Sequence, residues 1–158
     1  MNWNSPRKSA SAVSDPLLSL LPHGPEFRFI DELIELNPGD SATARWTLKG
    51  NEAFLPGHFP GQPLLPGVIM IEALAQLGGL LAQSGRGDNL LKNVRLTAVR
   101  QFKILGTIAP GESLTIHARL EAVLPGLVQI SGEILTPDRV RLASGTIVLS
   151  GEEPAATG

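Results

Sequence analysis

The segment PGVIMIEALAQLGGLLAQ at residues 66–83 constrains this chain more than any other. Pro66 presets φ for a first helical turn and Gly67 follows it, so the pattern predicts a helix running to about residue 83. Leu, Ile, Val, Met and Ala occupy every side of it, and a helix that is apolar all round is enclosed by protein rather than laid on a surface. It falls short of the ~20 apolar residues that cross a bilayer, and it contains Glu72, Gln76 and two adjacent glycines. The rest of the chain must therefore build a wall around one helix.

That wall reads as β-structure. Residues 27–36 and 42–48 favour strands joined by the turn Asn37-Pro38-Gly39-Asp40, the second with Ala42, Ala44, Trp46 and Leu48 on one face. Further runs fall at 94–104, at 114–122 with strict period two, at 127–135 and at 140–149, separated by short Pro- and Gly-containing breaks that suit antiparallel connections. Before them, Asp15 as N-cap, Pro16 and the leucines at 17, 18, 20 and 21 predict a short helix ended by Pro22. Residues 50–67 hold too many breakers for a regular element and read as an irregular loop. The fold class is α+β: an antiparallel curved sheet of about six strands wrapped around one long central helix. The expected organisation is an arm at 1–14, one domain at 15–150 and a tail at 151–158.

Composition narrows the function. The chain has 158 residues, enough for one sizeable core, and its 42% hydrophobic and 18% charged residues exclude wholesale disorder. A net charge of −2 gives no global basic field for nucleic acid or an anionic membrane. Without cysteine there is no disulfide, thiolate zinc site or cysteine nucleophile. The order of basic, small and apolar residues near the start is wrong for a secretory signal, so a cytoplasmic protein without a membrane span is expected.

Two side chains stand out as candidate chemistry. Glu72 and Gln76 are four residues apart, hence on one helix face, where Ile69, Gly79 and Gln83 complete a narrow stripe. A carboxylate among apolar neighbours meets a cation, takes up a proton or looks into a wet cleft; otherwise the stripe reaches solvent or a subunit contact. His58 lies in Pro56-Gly57-His58-Phe59-Pro60-Gly61, whose stiff backbone can aim an imidazole, although a loop histidine bonded to a carbonyl is the plainer reading. His23, in a turn, and His117, on the polar face of a strand, carry weaker signals. The histidine spacing supports no metal site, and neither a nucleophile elbow nor a glycine-rich phosphate loop occurs. Gly67 and Val68 add free backbone N–H groups at the helix start, a position suited to a developing oxyanion.

The string GHFPGQPLLPGVIMIEALAQLGGLLA at residues 57–82 resembles the active-site signature of the β-hydroxyacyl-acyl-carrier-protein dehydratases, the FabZ-like branch of the hot-dog superfamily. LLPHGPEFRFIDELIEL at 20–36 and RQFKILGTIAPGESL at 100–114 extend the likeness over nearly the whole folded region, with 14 positions separating His58 from Glu72. The resemblance implies a hot-dog fold and a homodimer joined edge to edge, with His58 and Glu72 from different chains in each shared site. A trimer of dimers stays open. It also implies catalysis without metal or organic cofactor, with His58 as base and Glu72 as acid. The Gly67 amide, beside Val68, would polarise the thioester carbonyl, Gln76 would orient the acid, and Phe59 would support the site. The implied partner is acyl carrier protein bearing a phosphopantetheine-linked acyl chain.

A 3-hydroxyacyl thioester must lose a weakly acidic C2 proton and hydroxide, so a base, an acid and an oxyanion donor suffice. For Glu72 to act as acid near pH 7, burial must raise its proton affinity. Arg86, Lys92, Arg95, Arg100 and Lys103 against Asp88 alone form a local basic excess that suits docking of an acidic carrier, or are solvated strand faces. The chain departs from the family pattern at Pro22-His23-Gly24-Pro25-Glu26-Phe27, where the family has arginine after histidine, and at Asp31-Glu32. It has no tyrosine to gate the tunnel mouth, leaving Phe102 as a substitute. These departures leave chain length and pathway open. The competing readings are a hot-dog thioesterase and a non-catalytic acyl-binding subunit.

Overall fold

The structure is a computed structural model that describes residues 16–156. Six strands form one antiparallel sheet in the order β1-β2-β4-β5-β6-β3, from β1 (Glu32–Asn37), β2 (Ser41–Thr47), β3 (Lys92–Ile104), β4 (Ser113–Leu124), β5 (Leu127–Leu135) and β6 (Arg141–Glu152). The single turn α1 (Leu55–His58) and the long helix α2 (Gly67–Gln83) lie between β2 and β3 in the chain. This is the sheet around one helix expected from the residue pattern, and the hot-dog fold that the family resemblance implies.

Alternation decides which face meets the helix. Ala42, Ala44 and Trp46 of β2, Leu114, Ile116 and Ala118 of β4, and Val128, Ile130 and Ile134 of β5 are buried. From α2, Met70, Ala73, Leu74 and Leu77 are fully buried in the same core. Each large aliphatic side chain removed from water contributes about 1.5–3 kcal/mol, so this face dominates folding. Close approach requires small residues. A Cβ on Gly132 of β5 would lie 2.7 Å from the His117 carbonyl oxygen and collide with the methyls of Leu74. In the β4–β5 hairpin, Pro125 presets the turn and Gly126 takes φ +68°, where a Cβ would also lie 2.7 Å from the Gly151 carbonyl oxygen.

The amino-terminal expectations need correction. The helix expected over 15–21 is a 3-10 turn at Leu18–Leu20; Asp15 lies outside the described residues, as does the arm at 1–14. Leu21 anchors this stretch in the core, and so few residues ahead of Pro22 cannot repay helix nucleation. The strand expected over 27–36 begins only at Glu32, behind a 3-10 turn at Pro25–Phe27. The reason lies in the backbone bonds: the Phe29 N–H and Phe27 carbonyl pair with Gln76 of α2 instead of a neighbouring strand. The loop at 50–67 contains the one-turn α1, pinned by buried Leu55, and Pro66 is the N-cap of α2 in extended conformation rather than its first residue. Pairing continues past the expected end at residue 149: β6 runs through Glu152, and the Gly151 N–H bonds the Gly126 carbonyl. Among the described residues no helix is long and apolar enough to cross a membrane.

Candidate active site

The site is built on the polar stripe of α2. Gln76 is 2% exposed, so every polar atom of its amide must be satisfied, and it is. Its Oε1 accepts the Phe29 N–H (2.9 Å), while its Nε2 donates to the Phe27 carbonyl (2.9 Å) and to Glu72 Oε1 (3.1 Å). The backbone groups admit one orientation of the amide, since an N–H only donates and a carbonyl only accepts. Gln76 thus ties the 27–29 segment to the helix and presents an N–H to Glu72.

The same Glu72 oxygen lies 3.1 Å from His23 Nε2. His23 follows the first 3-10 turn, its carbonyl accepts the Arg28 Nε–H (2.8 Å), and its ring stacks on Phe27 with centroids 6.1 Å apart. His23, Glu72, Gln76, Ala75, Gly79 and Gln83 line one side of a cavity of about 560 Å³, and β3 closes the other with Val94, Arg95 and Leu96. The helix stripe singled out in the residue pattern is therefore a cavity wall. Its far end is held by Gln83, which donates to and accepts from the Leu91 backbone at 2.9 and 3.0 Å.

His58 sits elsewhere in the single chain. It closes α1, its Nδ1 lies 3.2 Å from the Leu64 carbonyl, and its ring tilts against half-exposed Phe59 with centroids 4.1 Å apart. A carbonyl cannot donate, so Nδ1 carries the hydrogen and a neutral His58 presents the Nε2 lone pair. Glu72 bonds Gln76 and His23, not His58, and His58 is not part of the cavity wall. The N–H groups of Gly67 and Val68 have no acceptor among the described residues, as expected for a first helical turn. Ile104 covers Gly67, where its Cδ1 would lie 2.5 Å from an added Cβ.

The remaining candidates are dispersed. Phe102 is half-buried and packs over Gly145 of β6, outside the cavity wall. Arg95 reaches the cavity, and Arg100 and Lys103 are exposed along β3. Arg86 is drawn away from the basic group by Glu153, 3.1 Å distant. That carboxyl is held below the usual range by the Gly126 N–H and by Arg86. His117 bonds Thr43 Oγ1 (2.9 Å) on the outer face of the sheet, where burial lowers its pKa against the opposing pull of Glu133. Among the described residues no group of three or more His, Asp or Glu could hold a metal. The residue pattern missed His23, because its link to Glu72 spans 49 positions and no local periodicity marks it.

An antiparallel sheet closed around one helix, with a carboxyl on that helix facing a cavity, defines a hot-dog protein. The chain belongs to the FabA-like domain family, which matches residues 21–150. It is 35% identical over 105 residues to 3-hydroxyacyl-[acyl-carrier-protein] dehydratase FabZ of Rickettsia bellii, covering 66% of this chain and 72% of that protein. To the FabZ dehydratase of Syntrophomonas wolfei it is 36% identical over 129 residues, 80% of this chain and 88% of the relative. Among solved structures it resembles the dehydratase heterocomplex ApeI:P of Xenorhabdus doucetiae, with TM-score 0.70, 19% identity and coverage of 83% and 87%. Zebra fish thioesterase superfamily member 2 follows the same fold, with TM-score 0.59, 10% identity and coverage of 75% and 79%.

Proposed function

We propose that this protein dehydrates 3-hydroxyacyl thioesters on acyl carrier protein to trans-2-enoyl thioesters, within acyl-chain biosynthesis in the cytoplasm. The observation that carries the assignment of roles is the bond from His58 Nδ1 to the Leu64 carbonyl, which leaves Nε2 as a base. In the reaction the C2–H bond breaks and its proton goes to His58 Nε2. The electron pair forms the C2=C3 bond as the C3–O bond breaks, and the hydroxyl leaves as water with a proton from Glu72. Imidazolium and carboxylate then reset by proton exchange through solvent. The Gly67 N–H, with Val68 beside it, stabilises the thioester oxygen as charge builds there, a contribution on the order of 10²–10³-fold.

Because a single chain leaves His58 and Glu72 apart, the reading needs two copies, with His58 of one protomer serving Glu72 of its partner. The long β3 edge, whose outer side is unpaired among the described residues and from which Val99 and Ile104 protrude, suits such pairing. Lys92, Arg95, Arg100 and Lys103 on that strand offer cations to an acidic carrier. The test is hydration of crotonyl thioester by His58→Ala and Glu72→Gln. Each variant loses activity by about 10²-fold or more while remaining a folded dimer. Near-normal rates in either would defeat the assignment, and release of free thiol without enoyl product would replace it with hydrolysis.

A further inference from the structure

Glu72 has two oxygens, and the structure treats them differently. Oε1 faces the Gln76 Nε2–H and His23 Nε2, both at 3.1 Å, whereas Oε2 has no protein partner among the described residues. The Gln76 donor is unambiguous, because the rest of its amide is locked by the Phe27 and Phe29 backbone. An oxygen that accepts a hydrogen bond from Gln76 is a poor place for the carboxyl proton, since a hydroxyl oxygen is the weaker acceptor.

His23 sharpens the asymmetry. Its Nδ1 is buried and has no hydrogen-bond partner among the described residues. If the hydrogen sat on Nδ1, it would be a buried N–H donor without an acceptor, the costlier kind of orphan. Placed on Nε2, the hydrogen points at Glu72 Oε1 and Nδ1 is left with only a bare lone pair. Imidazolium would again strand the Nδ1–H. The least costly arrangement is therefore a neutral ring carrying its hydrogen on Nε2. The ring is held there by the Arg28 bond to the His23 carbonyl and by stacking on Phe27.

We propose that His23 is a positioning residue: with Gln76 it saturates Glu72 Oε1 with two N–H donors, so that the acid proton resides on Oε2 and is delivered from that oxygen. The proposal rests on the reading of Glu72 as the general acid. His23 neither takes nor gives a proton in it; it sets the rotamer and polarity of the carboxyl that does.

Two measurements test this. In the folded protein, long-range ¹H–¹⁵N correlation of labelled histidine distinguishes the tautomers without reference to activity. His23 shows the Nε2–H pattern with Nδ1 unprotonated; an Nδ1–H tautomer, or imidazolium at neutral pH, overturns the proposal. In steady-state hydration of crotonyl thioester, His23→Leu lowers kcat by about tenfold or more, part of the 10²–10⁴-fold that a general acid supplies, with KM nearly unchanged. His23→Gln, which restores an N–H donor, recovers most of the loss. A His23→Leu enzyme with full kcat, or a loss that appears in KM only, refutes the role. Glu72→Gln measured alongside separates the two levels: if it stays active the acid reading fails, whereas an inactive Glu72→Gln beside a fully active His23→Leu removes His23 alone. A His23→Leu enzyme as dead as His58→Ala and not rescued by Gln would make His23 a proton carrier and overturn positioning.

Discussion

Gly78 and Gly79 are neighbours on α2 yet sit in opposite environments, so replacing each by alanine is a sharp test of how the helix is seated. Alanine is favoured over glycine in a helix interior by about 0.8–1.0 kcal/mol, and both variants gain this. A Cβ on Gly79 meets nothing within 4 Å, because the residue faces the cavity. A Cβ on Gly78 lies 2.8 Å from Ile130 Cδ1 and within 3.6 Å of methyls on Ile147 and Leu149, so the helix presses on β5 and β6 there. Overpacking of that kind costs about 1–3 kcal/mol. Gly79→Ala therefore gains about 1 kcal/mol, a rise of roughly 2–4 °C in Tm for a domain of this size. Gly78→Ala ranges from neutral to about 2 kcal/mol destabilised. Urea unfolding monitored by circular dichroism reads both, and the quantity of interest is their difference, about 1–3 kcal/mol. Equal stabilisation by the two substitutions would refute this seating of α2. A larger group at the open position, Gly79→Leu, occupies cavity space and lowers kcat/KM for long acyl chains by about tenfold relative to short ones. Unchanged chain-length preference would mean that the acyl chain lies elsewhere.

Two further outcomes follow from the charges. Reversing Arg100 and Lys103 to glutamate raises KM for carrier-linked substrate several-fold, and more at low salt, while leaving coenzyme A-linked substrate nearly unaffected; equal effects on both would detach these residues from carrier docking. His117 titrates below its ordinary value in the folded protein because it is partly buried, so below about pH 6.5 the unfolded chain binds the extra proton first and stability falls as pH drops. Between pH 7 and pH 5 the parent protein therefore loses more unfolding free energy than His117→Gln, as read by urea titrations at each pH. Identical losses would show that His117 does not contribute to that slope.

Much of this protein is written locally. The enclosed helix follows from apolar residues on every side of residues 68–82, β4 from period-two alternation at 114–122, and the β1–β2 turn from Asn37-Pro38-Gly39-Asp40, where Gly39 takes φ +75°. The helix stripe of Glu72, Gln76, Gly79 and Gln83 was equally legible, because residues three and four apart share a face whatever surrounds them. What encloses that stripe was not. Phe27 to Ile30 looks like a strand from its composition, yet the Phe29 N–H and the Phe27 carbonyl bond Gln76, a side chain 47 positions from Phe29, and the Phe27 N–H closes a turn on the Gly24 carbonyl. His23 looked like an ordinary turn residue, and only the closing of the sheet around the helix carries it to Glu72. Periodicity reports the geometry of one element, whereas the partner of a buried polar group is chosen by whichever donor the tertiary fold brings within hydrogen-bond reach. So the residues themselves determined that one apolar helix would be wrapped in antiparallel strands with a carboxyl on its polar stripe. The tertiary structure decided which of that carboxyl's oxygens is occupied and which is left open, since the two donors that occupy it reach it from the helix itself and from a segment far away along the chain.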